Sequence, residues 1–256
     1  MKKAKVVSVL LLIVLALSLC ACGSDGNSGG GDGKKYLIAT DTTFAPFEFE
    51  DAEGNFVGID IELLAAIAED QGFEYELNVL GFSASLNALE AKQADGMIAG
   101  MSINDERKEM FDFSDPYFDS GVAMAVKKGS TEINSYADLA GKKVAVKTGT
   151  EGSSFAESIK DEYDFELVYF EDSANMYLEV ITGNSVALFE DYPVVGYAIS
   201  QGQELELRSE LERGSSYGFA VPKGENPELI EMFNTGLANL RASGKYQEIL
   251  NKYIQE

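Results

Sequence analysis

Ala94 to Gly121, ADGMIAGMSINDERKEMFDFSDPYFDSG, opens on a short apolar run and passes at once into polar chemistry. Gly96 to Ala99 reads as a buried strand, being brief, apolar and followed by a glycine. Gly100, Ser102, Asn104 and Arg107 come directly after it. In open α/β sheets ligands gather beyond the carboxyl ends of strands. The fold therefore turns on whether the rest of the chain supplies strands and helices in alternation.

It does. Tyr36 to Thr40, Tyr75 to Leu80, Val122 to Val126, Lys143 to Val146, Glu166 to Phe170, Val186 to Phe189 and Gly218 to Val221 read as strands. Asp60 to Gly72 reads as a helix, with Asp60 as its cap, Leu63, Leu64, Ile67 and Ala68 at helical spacing, and Gly72 at its end. Further helices are expected over Ser85 to Gln93, Ser135 to Leu139, Ser153 to Lys160, Ala174 to Thr182, Pro193 to Ser200, Pro227 to Ala242 and Tyr246 to Ile254. Such alternation predicts α/β layers with parallel strand pairing.

Four loops then become informative. They hold Asp41 to Phe47, Gly100 to Arg107, Lys147 to Gly152, and Glu190 to Pro193. Together they offer a guanidinium, carboxylates, hydroxyls, helix-start amides and aromatic rings. An α-amino acid zwitterion needs that set: a guanidinium forks onto a carboxylate, and helix-start amides favour anions.

The N-terminus says where the chain works. Lys2, Lys3 and Lys5 precede the apolar run Val6 to Leu19, which leads into Leu19-Cys20-Ala21-Cys22. A basic head and a short apolar stretch ending at a small residue describe a signal peptide. Leu19-x-Ala21-Cys22 resembles the bacterial lipobox, with Cys22 as the lipidated residue; Cys20 would put the bulky Leu19 at the cut. Residues 1–21 are thus expected to be removed, and residues 22–34, rich in Gly, Ser and Asp, to form a flexible tether.

The whole chain has 20 basic and 43 acidic side chains, net −23. Loss of residues 1–21 leaves 17 basic ones and about −26. That charge argues against nucleic acid and anionic headgroups as partners. The chain has no His, and both its cysteines lie in the export segment. Ser-His-Asp and Cys-His catalysis and His- or Cys-based zinc sites are excluded, as is an internal disulfide. There is no P-loop, and no metal or cofactor is expected.

Residues 35–256 resemble the bacterial extracellular solute-binding proteins of polar amino-acid ABC importers, family 3. Carrying the resemblance are ATDTTFAPFEFED, GIDIELLAAIAE, KKVAVKTGTEGSSFAE, the C-terminal GLANLRASGKYQEILNKY and the opening segment from Ala94. The resemblance implies a two-lobed α/β fold of the periplasmic-binding-protein type 2 class, with two hinge strands and the ligand in the interlobe cleft. Lobe 1 would be residues 35–118 with 218–256 and lobe 2 residues 119–217, crossing near Tyr117 to Gly121 and Arg213 to Tyr217. A monomer that meets membrane permease subunits is expected.

By matching motifs, Arg107 would take the ligand α-carboxylate, helped by Thr150 and the amides around Glu151 and Gly152. Asp191, the Gly100 carbonyl and the Ser102 hydroxyl would hold the α-ammonium, and Phe44 and Phe82 would enclose the aliphatic part. In the family's glutamine-binding members an acid at the position of Asp41 and a lysine at that of Lys147 read a carboxamide. Glu190 departs from them, standing where they have histidine, and the turn from Thr150 to Ser153 is one residue longer. An acid there leaves arginine or lysine as the alternative ligand. Taken singly, Arg107 reads as a solvated helix charge, Asp191 as a helix cap, Asp41 as a turn cap, Thr150 and Gly152 as turn residues, and both phenylalanines as core. Two rival functions remain: a cyclohexadienyl-dehydratase-like enzyme using Glu190 or Asp191 as proton donors, and a sensory module. An intact zwitterion site speaks against the first, and a lone lipid anchor with no signalling domain after it against the second.

Overall fold

A computed structural model describes residues 34–209 and 211–254. The signal peptide and all but the last residue of the tether lie outside the described residues. In chain order the first part supplies β1 (Lys35–Thr40), the hairpin β2 (Phe49–Glu50) and β3 (Phe56–Val57), and helix α1 (Ile59–Gln71). It continues with β4 (Glu74–Val79), α2 (Phe82–Glu90), β5 (Gly96–Met97), α3 (Asp105–Met110) and β6 (Phe111–Phe113). Next come β7 (Phe118–Lys127), a 3-10 turn at Tyr136–Leu139, β8 (Lys143–Lys147), α4 (Glu151–Tyr163), β9 (Glu166–Phe170) and α5 (Ser173–Ile181). The chain then forms β10 (Ala187–Asp191), α6 (Tyr192–Ser200), β11 (Leu205–Leu207) and β12 (Glu212–Tyr217). It ends with β13 (Ala220–Pro222), α7 (Pro227–Ser243) and α8 (Lys245–Tyr253).

Two mixed sheets result. One runs β4-β1-β5-β13-β6; the other runs β11-β7-β10-β8-β9, with β12 also paired to β7. Pairing is parallel at β1–β4, β1–β5, β8–β9 and β8–β10, as the alternation predicts. It is antiparallel where β13 meets β5 and β6, and where β7 meets β10, β11 and β12. The all-parallel expectation is corrected there, because β7 and β13 follow the two passages between sheets and arrive from the opposite direction. At those passages β7 and β12 pair, Phe118 opposite Tyr217 and Ser120 opposite Ser215.

Each sheet has cores on both faces. Period-2 alternation along β8 sends Val144 and Val146 to one face with Phe155 and Phe189, and Ala145 to the other with Met176 and Leu188. In the first sheet Ile38 and Ile98 pack on Leu63, Ile67, Phe233 and Leu237, while Ala39 and Met97 face Phe82 and Leu89.

Helix α4 begins at Glu151, two residues before the expected Ser153, and at two other helix starts the expected first residue is engaged elsewhere. Gly58, not Asp60, precedes α1, and the Asp60 side chain turns inward instead of capping. Helix α2 begins at Phe82 after Gly81, and Ser85 donates its hydroxyl to the Thr40 carbonyl at 2.8 Å. Both shifts have one cause: a side chain that would cap a free helix is drawn to a partner in the sheet beneath. At the other end of α1 Gly72 is left-handed as expected, its N–H bonding to the Ala68 carbonyl.

Gly58 has φ 139°, and a Cβ there would lie 2.0 Å from the Phe47 carbonyl oxygen. The turn that carries Phe44 and Phe47 closes only because that space is empty. Gly58→Ala is expected to cost about 2–4 kcal/mol, combining backbone strain with overpacking. Chemical denaturation should show a lower midpoint with an unchanged m-value.

Candidate functional site

The carboxyl ends of the central strands of both sheets face one another. Phe44 follows β1, Gly100 and Ser102 follow β5, Thr150 follows β8, and Asp191 ends β10. With Phe82, Arg107 and Glu151 they surround one narrow space. Its walls stand so close together that it has no room for a sphere the size of a water molecule.

Arg107 lies in the short helix α3, whose start is capped by Asn104, the Oδ1 of which accepts the Arg107 N–H at 2.8 Å. The guanidinium is 6% exposed. It donates to the Ser102 carbonyl at 2.8 Å and to the Gly149 carbonyl at 2.9 Å, and sits 5.4 Å from the centre of the Phe82 ring. Burial lowers its pKa against the charges of Glu151 and Asp191, yet a guanidinium remains protonated. The solvated-charge reading does not describe this side chain.

Asp191 is 3% exposed. Its Oδ2 accepts the Tyr217 hydroxyl at 2.7 Å, while Oδ1 has no donor among the described residues. Burial, then the neighbouring Glu190 charge, raise its pKa to about 7, against the lowering effect of Tyr217 and Arg107. It makes no capping bond to α6, although it precedes that helix. A buried carboxylate oxygen without a donor beside a buried guanidinium calls for a cation on one side and an anion on the other.

Thr150 caps α4: its Oγ1 accepts the Ser153 N–H at 3.2 Å and donates to the Lys147 carbonyl at 2.8 Å. Glu151 and Gly152 form the first turn, whose backbone N–H groups have no partner within the helix. Ser102 is buried, and its Oγ accepts the Ser215 hydroxyl at 3.3 Å. Gly100 has φ 51°, and a Cβ there would meet the Phe44 ring at 2.3 Å. The ring can close over the Gly100 carbonyl because that residue has no side chain.

Asp41 and Lys147 form a buried ion pair, 0% and 1% exposed. Lys147 also lies 5.0 Å from the centre of the Phe44 ring, and the Thr42 N–H donates to Asp41 Oδ1 at 2.6 Å. Glu190 is turned into the second sheet. Its Oε2 accepts the hydroxyls of Ser173 at 2.9 Å and Tyr177 at 3.4 Å, and its Oε1 the Asp191 N–H at 3.0 Å. Burial raises its pKa, opposed by Lys147.

Bonds between the loops of the two sheets hold the space shut: Asp41 to Lys147, Arg107 to the Gly149 carbonyl, Asn104 to Glu151 at 2.8 Å, and Ser83 to Glu171 at 3.2 Å. Sequence reasoning missed Glu151, Tyr217 and Asp60 as site residues. Glu151 is adjacent to Thr150 and Tyr217 lies within the predicted crossing, so position was a signal for both. Asp60 gave none, since its role depends on the fold around Gly100. Among the described residues no group of His, Cys, Asp or Glu is disposed to hold a metal, and no helix is long and apolar enough to cross a membrane.

Residues 36–256 match the family model of bacterial extracellular solute-binding proteins, family 3. The chain belongs to that family. The arginine-binding extracellular protein ArtP of Bacillus subtilis is 33% identical, with 89% of each chain covered. Substrate binding domain 2 of Lactococcus lactis GlnP, solved in an open conformation, is 44% identical, covering 88% of this chain and 97% of its own, with a TM-score of 0.61. An ancestral arginine-binding protein is 35% identical both in its arginine complex, at a TM-score of 0.81 over 86% of this chain and 98% of its own, and in its glutamine complex, at 0.80 over 87% and 98%. The solute-binding protein described here thus has the type 2 periplasmic-binding-protein fold. Its likeness is greater to the ligand-bound forms than to an open form of higher identity, in keeping with the narrow space between its sheets.

Proposed function

We propose that this solute-binding protein is the lipid-anchored capture subunit of an ABC importer. It closes two lobes, residues 35–118 with 218–256 and residues 119–217, on a polar L-amino acid and delivers it to membrane permease subunits. The observation that carries this reading is the pairing of Arg107 with Asp191, two buried opposite charges, the second with an oxygen that receives no bond. The α-carboxylate is assigned to Arg107, Thr150 and the amides of Glu151 and Gly152. The α-ammonium is assigned to Asp191, the Gly100 carbonyl and Ser102. Phe44 and Phe82 take the aliphatic stem. Closure removes these charges from water and strengthens their pairing with the ligand. The ligand biases an open–closed equilibrium by binding the closed form better.

Glutamine is the ligand this arrangement favours. Lys147 donates to the carboxamide oxygen and Asp41 accepts from its NH₂. Both oxygens of Glu190 already receive hydrogen bonds, so that acid is not free to meet a guanidinium. The second reading, a basic amino acid, draws support from two acids against one lysine at this end and from relatives named for arginine. A role as an enzyme finds no support: the relatives are binding proteins, and the polar groups fit a ligand held intact.

Arg107→Ala should abolish amino-acid binding without unfolding the protein, since losing one partner of a desolvated pair costs about 2–5 kcal/mol. Calorimetry beside circular dichroism checks both halves, and unchanged affinity makes Arg107 a bystander. Titrating glutamine, glutamate, arginine and lysine into wild type and Asp41→Asn tests the ligand. Glutamine should bind wild type best, and the variant should lose affinity for it and part of its preference over glutamate. Tighter binding of arginine or lysine to wild type would overturn the carboxamide reading and make Glu190 the specificity residue. Cys22→Ser should abolish fatty-acid labelling and release the protein from membranes, while Cys20→Ser should leave both unchanged.

A further inference from the structure

Two acids with no part in the ligand reading are completely buried under its loops. Glu48 and Asp60 are each 0% exposed. Glu48 closes the turn that carries Phe44, exchanging backbone bonds of 2.8 and 3.3 Å with that residue. Asp60 sits in the first turn of α1, and its Oδ2 accepts the Gly100 N–H at 2.8 Å and the Tyr117 hydroxyl at 2.7 Å. The remaining oxygens, both of Glu48 and Oδ1 of Asp60, receive no hydrogen bond from any described group. The Asp60 N–H donates to the Phe47 carbonyl at 2.9 Å, and the Ile59 N–H to that of Pro46 at 2.9 Å, so the two acids stand on adjoining backbone and act on each other's charge.

Ionised carboxylates only accept, so two facing each other in a dry interior repel and leave lone pairs bare. A single proton removes both faults. We propose that Glu48 is a carboxylic acid that donates to Oδ1 of Asp60, and that this bond positions the Phe44 turn against the Gly100 loop. The proton resides on Glu48 because Asp60 already accepts two donors, which favour its anion, whereas Glu48 accepts none. The other charged or titratable groups facing the pair are Asp41, Lys147 and Tyr117. Lys147 is committed to Asp41, so Glu48 is left without a cation of its own. Burial first, then the charges of Asp60 and Asp41, raise Glu48 well above the usual carboxyl range, while Lys147 opposes them. Asp60 rises less, to about 6, held down by Gly100 and Tyr117. Glu48 acts on the site through Asp60 and is a positioning residue.

The sign of the pH effect follows. A carboxyl whose pKa is raised on folding keeps more protons in the native state than in the unfolded one. Stability is therefore lost as pH rises from the ordinary carboxyl value toward the raised one, by about tenfold in the folding constant per pH unit for one proton. Glu48→Gln keeps a donor for Asp60 and removes that proton. It should fold and lose the extra slope relative to wild type in denaturation across that window. One component of the infrared carbonyl stretch of protonated carboxyls, present in ligand-free wild type at pH 7, should be missing from Glu48→Gln and persist in Asp191→Asn. Glu48→Leu offers no donor, and hydrogen exchange of the Gly100 amide should be at least tenfold faster in it than in Glu48→Gln. A slope or infrared band unchanged in Glu48→Gln, or equal Gly100 protection in Leu and Gln variants, overturns the proposal. If Glu48→Gln fails to fold, carbon-13 NMR of glutamate-labelled wild type decides. One glutamate side-chain carboxyl should stay protonated at pH 7 and should do so in Glu190→Gln as well, and ionisation of every glutamate at ordinary values would overturn it. These readouts use ligand-free protein, so they stand or fall apart from the identity of the bound amino acid.

Discussion

Bringing the loops of the two sheets together takes Asp41, Lys147, Arg107, Glu190 and Asp191 out of water at once, and every feature of the site answers to the cost of doing so. An isolated charge in such an interior is penalised by several kcal/mol, so each must meet a partner or give up its charge. Asp41 and Lys147 neutralise each other across the gap. Arg107 is spread over two backbone carbonyls and an aromatic face. Glu190 draws on two hydroxyls and an amide. Asp191 alone of the five is left with an oxygen that receives no bond from a described residue, and burial beside the Glu190 charge raises its pKa to about 7. In the ligand reading proposed above, an incoming ammonium is worth most at the carboxylate oxygen of Asp191 that no described donor reaches.

The same constraint explains the use of glycine and backbone around the space. Carbonyls of Ser102 and Gly149 serve Arg107, the amide of Gly100 serves Asp60, and the amide of Asp191 serves Glu190. Backbone dipoles are fixed by the fold and need little reorganisation to meet a charge. Side chains on the loops are thereby left to face inward. Beneath them the cores are ordinary α/β layers, and the two lie on separate sheets joined by the paired strands β7 and β12. Cores confined to these layers leave the loops as the surfaces that part and meet in the lobe closure proposed above.

Much of this was legible in the sequence because it rests on local pattern. The strand over residues 166–170 and the ends of α6 and α7 follow from apolar runs, proline and glycine, and the four loops meet as strand order in an α/β sheet requires. What was not legible depends on partners distant in sequence. Asp60 reads as a cap until Gly100 and Tyr117 are seen beside it. Ser85 reads as a helix start until the Thr40 carbonyl is found above it. Strand β6 escaped notice, being short with Asp112 at its centre, and the antiparallel pairing of β7 and β13 did so because it is set by the passage between sheets. Glu48, inside a motif that carries the resemblance, offered no hint of a second acid against it.

The site also divides by what varies with ligand and what does not. In the proposed reading Arg107 and Asp191 address the groups every α-amino acid has, and they are held by helix α3, strand β10 and the Tyr217 hydroxyl, parts of the scaffold itself. Asp41, Lys147 and Glu190 do not line the space itself but adjoin Phe44 and Asp191, which do, and their partners are mostly one another and nearby hydroxyls; in the proposed reading they meet the ligand side chain. Substituting Asp41 or Lys147 changes local charge without removing a bond at a helix start, whereas Glu190 also holds Ser173, where α5 begins. Relatives named for arginine, and one ancestral fold solved with both arginine and glutamine, are therefore compatible with a single frame. Here the far end carries a neutral pair and an acid whose oxygens are spent on Ser173, Tyr177 and a backbone amide. A full positive charge brought to it would have to break one of those bonds first, whereas a carboxamide needs only to insert between Asp41 and Lys147, giving the acid a donor and the ammonium an acceptor. That exchange conserves hydrogen bonds and moves no net charge out of water, which is the physical ground for preferring the neutral ligand.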